Sequence, residues 1–271
     1  MMRPTSSAAP PERLVRYVVD GVAHHGLERD GHLERLDRAP WDGGRATGVR
    51  DDPGAPRLAP CAPGKIVCIG LNYVEHVKES LTVAPTARNQ PPAEPLFFFK
   101  PTSAALAPGG AIVKPHGLTR LDPEGEMALV IGRRARHVRE ADALAHVAGV
   151  TAFNDVSARD WQKSDSQWSR AKGSDTFAPF GPCIALGLDP RDLALELAVN
   201  GSVRQLTRTS EMHFGPAFLN HYLSRFVTLE PGDVIATGTP AGIAPIEPGD
   251  TVAITVEGVG TLTNPVVAAS A

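Results

Sequence analysis

The sequence predicts a β-rich α+β fold, and both composition and patterning support this. The 271 residues include 26 glycines and 25 prolines, more than a helical bundle tolerates and typical of short strands joined by tight turns. Short apolar segments rich in β-branched residues recur between these turns. One stretch, residues 211–226, has the apolar spacing of an amphipathic helix, and its stripe favours a core or dimer contact over a cofactor site.

The N-terminal part is predicted to contain a small β-rich module. A β-branched stretch at 13–20 and a second segment ending at Asp30-Gly31, a dipeptide suited to a tight turn, predict a hairpin. Residues 40–64 contain repeated Pro and Gly and are predicted to be a connector. The predicted divisions are a disordered tail (1–12), the N-terminal module with its connector (13–64) and the main domain (65–271).

The main domain is predicted to be built mainly of strands. Its predicted elements are strands at 66–69, 96–99, 125–131 and 147–153 and short helices at 73–79 and 140–146. Alternating leucines from Leu193 onwards lead to Asn200-Gly201, the strongest short-range hairpin signal. The tetrapeptide Glu-Pro-Gly-Asp occurs at 230–233 and at 247–250, and each copy is predicted to form a turn between strands.

Charge and hydropathy exclude several classes of function. There are 30 acidic and 27 basic residues and no long run of one sign, so neither nucleic acid nor a membrane is an expected partner. No apolar run approaches the ~20 residues of a membrane span, and the N-terminus lacks a signal-peptide core. Three cysteines without C-x-x-C spacing support neither a disulfide framework nor a zinc site. We therefore expect a cytoplasmic protein with a small-molecule partner.

Two glutamates at the start of a predicted strand suggest a cation site. Glu124 and Glu126 are separated by one residue, so on an extended chain both carboxylates point to one face. Like charges so close repel, and a hard divalent ion such as Mg²⁺ or Ca²⁺ would relieve the repulsion. In isolation such a pair is more often an exposed acidic turn. Asp155, at the end of an apolar strand, could join the glutamates or act as a helix N-cap.

Two further motifs carry side chains suited to acid–base chemistry. His76 and Glu79 are spaced i, i+3 on a predicted helix, and a carboxylate that orients an imidazole makes it a general base able to activate water. Without context, a solvated helix pair is the commoner outcome. Lys172, one of six lysines, lies on a predicted loop flanked by aromatics, where a cation could neutralise an anionic substrate or intermediate. A surface lysine is the alternative.

In this order, the motifs resemble the fumarylacetoacetate hydrolase family from about residue 13 to residue 267. The matching stretches are 69–79 (IGLNYVEHVKE), 95–101 (PLFFFKP), 124–132 (EGEMALVIG), 154–160 (NDVSARD), 172–177 (KGSDTF) and 231–242 (PGDVIATGTPAG). The resemblance implies that Glu124, Glu126 and Asp155 ligate the metal, Mg²⁺ or Mn²⁺, with Ca²⁺ able to replace it in crystals. It implies that His76 and Glu79 are the water-activating dyad and that Lys172 is catalytic.

The resemblance also implies the surroundings of the site and the architecture. Arg159 and Gln162 would lie near the substrate, and the loop of Thr239 would close on its carboxylate side. The family's fold is a mixed β-sandwich roll, here with a small N-terminal β module, and its members are usually homodimers. The segments 81–92 and 161–168 are expected to line the pocket.

The implied function is metal-dependent chemistry on a 2-oxo (enol/keto) dicarboxylate through an enolate. The N-terminal module and residues 226–242 look most like the bacterial isomerase/decarboxylase branch, which acts on aromatic-degradation intermediates such as 2-hydroxyhepta-2,4-diene-1,7-dioate. The His76–Glu79 pair keeps open C–C bond hydrolysis of acylpyruvates or β-diketo acids, of fumarylpyruvate or fumarylacetoacetate type, by an activated water. A third hypothesis, a non-catalytic cation-binding dimeric scaffold, would require neither this pair nor Lys172.

Overall fold

In the computed structural model, residues 10–83 and 90–270 are described, apart from the side chains of residues 80–83. The strands are β1 (Glu12–Val19), β2 (Val22–Arg29), β3 (His32–Leu36), β4 (Ala46–Asp51), β5 (Ile66–Gly70), β6 (Leu96–Lys100), β7 (Ala105–Leu106), β8 (Ile112–Lys114), β9 (Leu121–Asp122), β10 (Gly125–Ile131), β11 (Val147–Asn154), β12 (Ser157–Ala158), β13 (Ala178–Leu186), β14 (Ala194–Val199), β15 (Ser202–Arg208), β16 (Val234–Ala236), β17 (Thr251–Val256) and β18 (Gly260–Ala268). The α-helices are α1 (Val74–Val83), α2 (Arg159–Ser164), α3 (Ser169–Gly173) and α4 (Pro216–Ser224). Turns of 3₁₀ helix cover Pro40–Asp42, Thr102–Ala104, Glu140–His146 and Thr209–Glu211.

Most of the strands belong to two sheets. Among the described residues, an 11-stranded sheet has the order β4-β3-β2-β1-β13-β11-β10-β16-β5-β6, with β7 beside β13. A five-stranded sheet has the order β15-β14-β17-β18-β8, and β12 pairs with β9. The N-terminal strands therefore extend the large sheet through the β1–β13 pairing.

The core is divided between the two faces of the large sheet. Met127, Leu129 and Ile131 of β10 belong to the apolar layer shared with the five-stranded sheet. Ala128 and Val130, which alternate with them, belong to the layer on the opposite face. Because both faces of β10 are buried, its sequence is a continuous apolar run rather than an alternating one. The predicted β-rich fold with packed sheets is confirmed.

Most of the predicted turns and strands are confirmed, and the helices differ in detail. The Asp30-Gly31 turn joins β2 to β3, and the Asn200-Gly201 turn joins β14 to β15, with all four residues at positive φ. The helix predicted at 211–226 is shorter, because α4 begins with Pro216 at its first turn, where proline is best tolerated. The helix predicted at 140–146 is a 3₁₀ helix.

Two details of the N-terminal prediction are wrong. Residues 46–51, assigned to a connector, form β4 and pair with β3, because the prolines of this region lie outside them. β1 begins at Glu12, inside the predicted tail, since Glu12 pairs with Leu186 of β13. Residues 1–9 of that tail lie outside the described residues, and the division of the chain at residue 65 stays a prediction.

No helix within the described ranges has the length and apolar character needed to cross a membrane. The three cysteines are buried free thiols. The cytoplasmic location stays a prediction.

Candidate active site

The start of β10 directs two glutamates into one cavity. Glu124 and Glu126 line it, and their exposed fractions are only 3% and 1%. Gly125 faces the opposite way, because a Cβ built on it would lie 3.0 Å from Cβ of Leu197 and 3.1 Å from Oε1 of Gln205. This alternation is that of an extended strand. The alternative of an exposed acidic turn is wrong.

Asp155 completes an acidic triad with the two glutamates. It follows β11, the antiparallel neighbour of β10, and its N–H donates a 2.9 Å hydrogen bond to the carbonyl of Glu124. One carboxylate oxygen from each of the three acids lies within 4.8 Å of the others. The N-cap of α2 is Ala158, so Asp155 is not a helix cap. The structure thus brings the three predicted acids together at one buried point.

Lys172 forms ion pairs with two of these acids. Its Nζ lies 2.7 Å from Oε2 of Glu124 and 2.8 Å from Oδ2 of Asp155, and its side chain is buried. The same Nζ lies 5.4 Å from the ring centroid of Phe98, in a cation–π contact. Lys172 lies in α3, so the loop predicted here is wrong. The surface-lysine alternative is also wrong.

Arg159 is a second buried cation at the triad. It donates from Nη2 to Oε1 of Glu124 at 2.5 Å and from Nε to Oδ2 of Asp122 at 2.8 Å. Its Nη1 donates to Oε1 of Gln162 at 2.8 Å. Because a guanidinium offers a rigid fork of donors, one arginine fixes all three neighbours at once. Arg159 and Gln162 both line the cavity, as predicted for residues near a substrate.

The charges around the triad shift the pKa values of its two glutamates in opposite directions. Burial raises the pKa of Glu124, but Lys172 and Arg159 outweigh burial and hold that pKa below its ordinary value. Burial, followed by repulsion from Asp155 and Glu124, raises the pKa of Glu126 well above its ordinary value. Burial lowers the pKa of Lys172, but the carboxylates raise it further, so its amine stays protonated. Glu126 is therefore the acid whose charge is least compensated.

The loop after β16 contacts Glu126 through its backbone. The N–H of Gly238 donates to Oε2 of Glu126 at 2.7 Å. Gly238 has a φ of +100°, and a Cβ built on it would lie 2.7 Å from Cβ of Asn72. Only glycine fits both the left-handed backbone and the close approach. Beside it, Thr239 lines the cavity, donates from Oγ1 to the carbonyl of Gly125 at 3.0 Å and receives a 2.9 Å hydrogen bond from Gln205.

His76 and Glu79 lie on α1, and His76 lines the same cavity. Nδ1 of His76 is 3.4 Å from Oε2 of Glu79, and the N–H of Gly242 lies 3.0 and 3.1 Å from the two oxygens of Glu79. Burial raises the pKa of Glu79, but His76 and the N–H groups of Gly242 and Ile243 lower it overall. Glu79 therefore stays ionised and orients the ring of His76, which is only 7% exposed. The solvated-pair alternative is wrong.

Sequence reasoning assigned no role to several residues of the site. Asp122 and Gln205 are buried and bond to Arg159 and Thr239, but isolated polar residues give no signal. Lys163 lines the cavity and lies four residues after Arg159, a helical spacing that could have revealed it. Of the segments predicted to line the pocket, 161–168 contributes, and residues 84–89 of the other lie outside the described residues.

The triad has the chemistry of a divalent-cation site. Its three side chains offer only carboxylate oxygens, the donors that hard ions such as Mg²⁺ and Mn²⁺ prefer. The raised pKa of Glu126 shows that burial and the neighbouring carboxylates disfavour its negative charge, which a cation would favour. These residues therefore fit a divalent cation.

The site combines three buried acids, two buried cations and a histidine–glutamate pair between packed β-sheets. This arrangement is typical of an enzyme that uses acid–base chemistry beside a divalent cation. The family model described as fumarylacetoacetate (FAA) hydrolase C-terminal matches residues 65–267. The chain belongs to the fumarylacetoacetate hydrolase family, as its motifs predicted.

Three relatives illustrate the chemistry found with this fold. The chain is 41% identical to a 2-hydroxyhepta-2,4-diene-1,7-dioate isomerase from Mycobacterium marinum, with 96% of this chain and 100% of that chain covered and a TM-score of 0.86. It is 36% identical to a human mitochondrial oxaloacetate tautomerase, over 95% of this chain and 80% of the relative. A maleylpyruvate hydrolase from Sphingobium sp. SYK-6, solved with manganese(II) and pyruvate, is 27% identical, with 95% and 100% covered and a TM-score of 0.76. The relatives of this chain thus include an isomerase, a tautomerase and a hydrolase.

Neutralising Glu126 and neutralising Glu124 should change the free energy of unfolding of the metal-free protein in opposite directions. Glu126→Gln removes the cost of protonating this buried carboxyl on folding and keeps an acceptor for Gly238, so the free energy of unfolding should rise by about 1–3 kcal/mol. Glu124→Gln removes the partner of two buried cations and should lower it by about 3–5 kcal/mol. Denaturant unfolding with a chelator, near neutral pH, measures both values. Changes of the same sign would contradict this electrostatic account.

The same account fixes the sign of a pH dependence. Because the pKa of Glu126 is raised in the folded state, the folded state holds a proton that the unfolded state releases. The contribution of Glu126 to the free energy of unfolding is therefore fully present at acid pH. It is lost as the pH rises from the ordinary pKa of a glutamate towards the raised pKa of the folded state. Unfolding of Glu126→Gln measured in parallel should lack this component.

Proposed function

We propose that the protein is a divalent-cation-dependent enzyme that acts on 2-oxo dicarboxylates through an enolate, as an isomerase or decarboxylase of aromatic-degradation intermediates such as 2-hydroxyhepta-2,4-diene-1,7-dioate. The observation that carries the proposal is the convergence of Glu124, Glu126, Asp155, Lys172 and His76 on one cavity. A bound Mg²⁺ or Mn²⁺ would act as a Lewis acid toward the 2-oxo acid. A scaffold that only binds a cation would not require the histidine or the lysine.

The chain's own residues would supply the proton transfers and the charge stabilisation. His76, oriented by Glu79 through Nδ1, would accept a proton at Nε2 from the substrate carbon and return it elsewhere on the conjugated system. Lys172, held as an ammonium, would stabilise the negative charge that develops on the enolate oxygen. In decarboxylation the electron pair of the broken C–C bond would form the same enolate, and CO₂ would leave. Arg159, Gln162 and Thr239 would position the substrate at the cavity wall.

C–C bond hydrolysis of acylpyruvates or β-diketo acids is the second candidate. Here His76 would take a proton from water, and the resulting hydroxide would attack the distal carbonyl carbon. The C–C bond would then break, its electron pair would pass to the enolate, and a proton would complete the product. The 27% identity to the maleylpyruvate hydrolase from Sphingobium sp. SYK-6 supports hydrolysis as this second candidate reaction.

A product screen tests the proposed function. Purified protein should convert oxaloacetate enol, an unsaturated 2-oxo dicarboxylate or both with Mg²⁺ or Mn²⁺ present, and a chelator should abolish the activity because the acids then lack their cation. Loss of enol absorbance and release of CO₂ separate isomerisation from decarboxylation. Acylpyruvates in the same screen test hydrolysis. Turnover that is indifferent to chelation would overturn the cation assignment.

A His76→Ala variant serves as the control for the reaction type. It should bind Mn²⁺ as the wild type does, because His76 is not one of the triad acids, and it should lose hydrolysis by about 10²–10⁴-fold, the range for a general base. Hydrolysis at the wild-type rate would remove His76 and Glu79 from the mechanism.

Lys163 supports a substrate with a second carboxylate. Arg159, Gln162 and Lys163 follow i, i+3 and i+4 spacing on α2, so they share one helix face, and all three line the cavity. The charge of Arg159 is matched by Asp122 and Glu124. No ion pair of Lys163 occurs among the described residues, so its ammonium is a suitable partner for a distal carboxylate.

Replacing Lys163 should therefore weaken the binding of dicarboxylate substrates and leave the binding of monocarboxylates unchanged. Lys163→Met should raise KM for oxaloacetate by about two- to fivefold, because an exposed ion pair contributes about 1 kcal/mol or less, and leave KM for a 2-oxo monocarboxylate unchanged. Steady-state kinetics on both substrates gives the ratio. Lys78→Met is the matched control, because Lys78 pairs with Glu75 outside the cavity. Equal effects on both substrates would refute the role of Lys163.

We also propose that a second copy of the chain covers the edge of the large sheet. β6 is the last strand in the sheet order and pairs on one side with β5, and no described strand pairs with its other side. Leu96, Phe99 and Phe226 there are 41%, 47% and 54% exposed. Proteins rarely leave an apolar strand edge open to solvent. A homodimer contact would bury this surface.

Phe226→Glu should convert the dimer into a monomer of 28.7 kDa, because it introduces a charge into the proposed contact. Light scattering after gel filtration measures the mass. The matched control is Leu206→Glu, on the edge strand of the other sheet, where the side chain is 71% exposed and the dimer should persist. A monomeric wild type, or a Phe226→Glu variant that remains dimeric, would contradict the proposal.

A further inference from the structure

Lys100 is a buried lysine behind the acidic triad that the proposed chemistry does not use. It is the last residue of β6, and its side chain has no exposed surface. Its Nζ donates hydrogen bonds to three backbone carbonyls, those of Val156 at 3.2 Å, Phe177 at 2.7 Å and Lys172. The same Nζ lies 2.6 Å from Oδ1 of Asp155.

These contacts connect Lys100 to two parts of the site at once. Asp155 presents Oδ2 to Lys172 and Oδ1 to Lys100, so the two lysines hold its carboxylate from both sides. Oδ1 accepts no hydrogen bond from another described group, so Lys100 provides its nearest counter-charge. Lys100 also donates to the carbonyls of Lys172 and Phe177, so it fixes both ends of the segment 172–177. Lys172, the candidate catalytic lysine, is the first residue of this segment.

We propose that Lys100 is a positioning residue that sets the orientation of the Asp155 carboxylate for cation binding and the place of Lys172 beside it. This inference rests on the proposed cation site. Lys100 would not touch the substrate, because the residues that line the cavity do not include it. It would act through Asp155, as groups that hold metal-ligating carboxylates do in other sites.

The chain offers a matched comparison in Lys114. Lys114 is also buried, and its Nζ lies 2.7 Å from both oxygens of Glu247 and 3.4 Å from the carbonyl of Thr119. Neither partner belongs to the acidic triad. Removing either lysine therefore breaks an ion pair of a buried lysine, although Glu247 itself is exposed, and only Lys100 is paired with a residue of the proposed cation site.

The test is the dissociation constant of Mn²⁺, measured by calorimetry on folded protein without substrate. Lys100→Met should weaken Mn²⁺ binding by about 10–100-fold, the effect typical of losing a group that orients a metal ligand. Lys114→Met should bind Mn²⁺ within about twofold of the wild type, since its ion pair does not touch the triad. A role in stability alone would lower the unfolding midpoint of both variants and leave both dissociation constants unchanged.

A second measurement uses the wild-type protein, so the inference stays testable if Lys100→Met does not fold. With ¹⁵N-labelled lysine, the ammonium signal of Lys100 should shift on saturation with Mg²⁺, and that of Lys114 should not. The variants Lys114→Met and Lys172→Met assign the neighbouring signals. A wild type that binds neither ion would overturn the cation site and this inference together. Wild-type affinity in Lys100→Met, or an unmoved Lys100 signal in a protein that binds Mg²⁺, would overturn only the inference.

Discussion

Three carboxylates meet in the interior of this protein, and the need to compensate their charge organises the structure around them. Burying negative charges so close together is unfavourable unless positive charges lie beside them. Lys172 and Arg159 compensate Glu124, and Lys172 and Lys100 compensate Asp155. Glu126 accepts a hydrogen bond from the N–H of Gly238, and among the described residues it forms no ion pair. The compensation is therefore uneven, and the remaining negative charge is what a divalent cation would balance.

The fold places these charges by combining two kinds of geometry. The antiparallel β10 and β11 bring the acids together, because residues at the start of one strand lie opposite the end of the other. The cations come from the start of α2 (Arg159), the last turn of α3 (Lys172) and the end of the edge strand β6 (Lys100). Core residues lie on both faces of β10 and β11, so the acids are held on a rigid frame. A loosely packed frame would let the carboxylates separate and relax their repulsion.

Much of the site was predictable because its signals are local. Glu124 and Glu126 share a face by strand periodicity, and His76 and Glu79 share one by helix periodicity. The burial of Lys172 was not predictable, because its ion pairs join residues 17 and 48 positions apart. The outcome for isolated motifs was also undecided, since the same spacing occurs in solvated pairs and turns. The family resemblance is specific only because the motifs occur together and in this order along the chain.

The sequence by itself determined the β-rich class, the two hairpin turns, the acidic pair and the family. These follow from periodicity, turn chemistry and motif order, which depend on neighbours within a few residues. The tertiary structure alone decided that Lys100 contacts Asp155, that Arg159 is matched by Asp122, and that residues 46–51 join the large sheet. Such contacts join segments far apart in the chain, and their free energy depends on burial and distance, which no local pattern specifies.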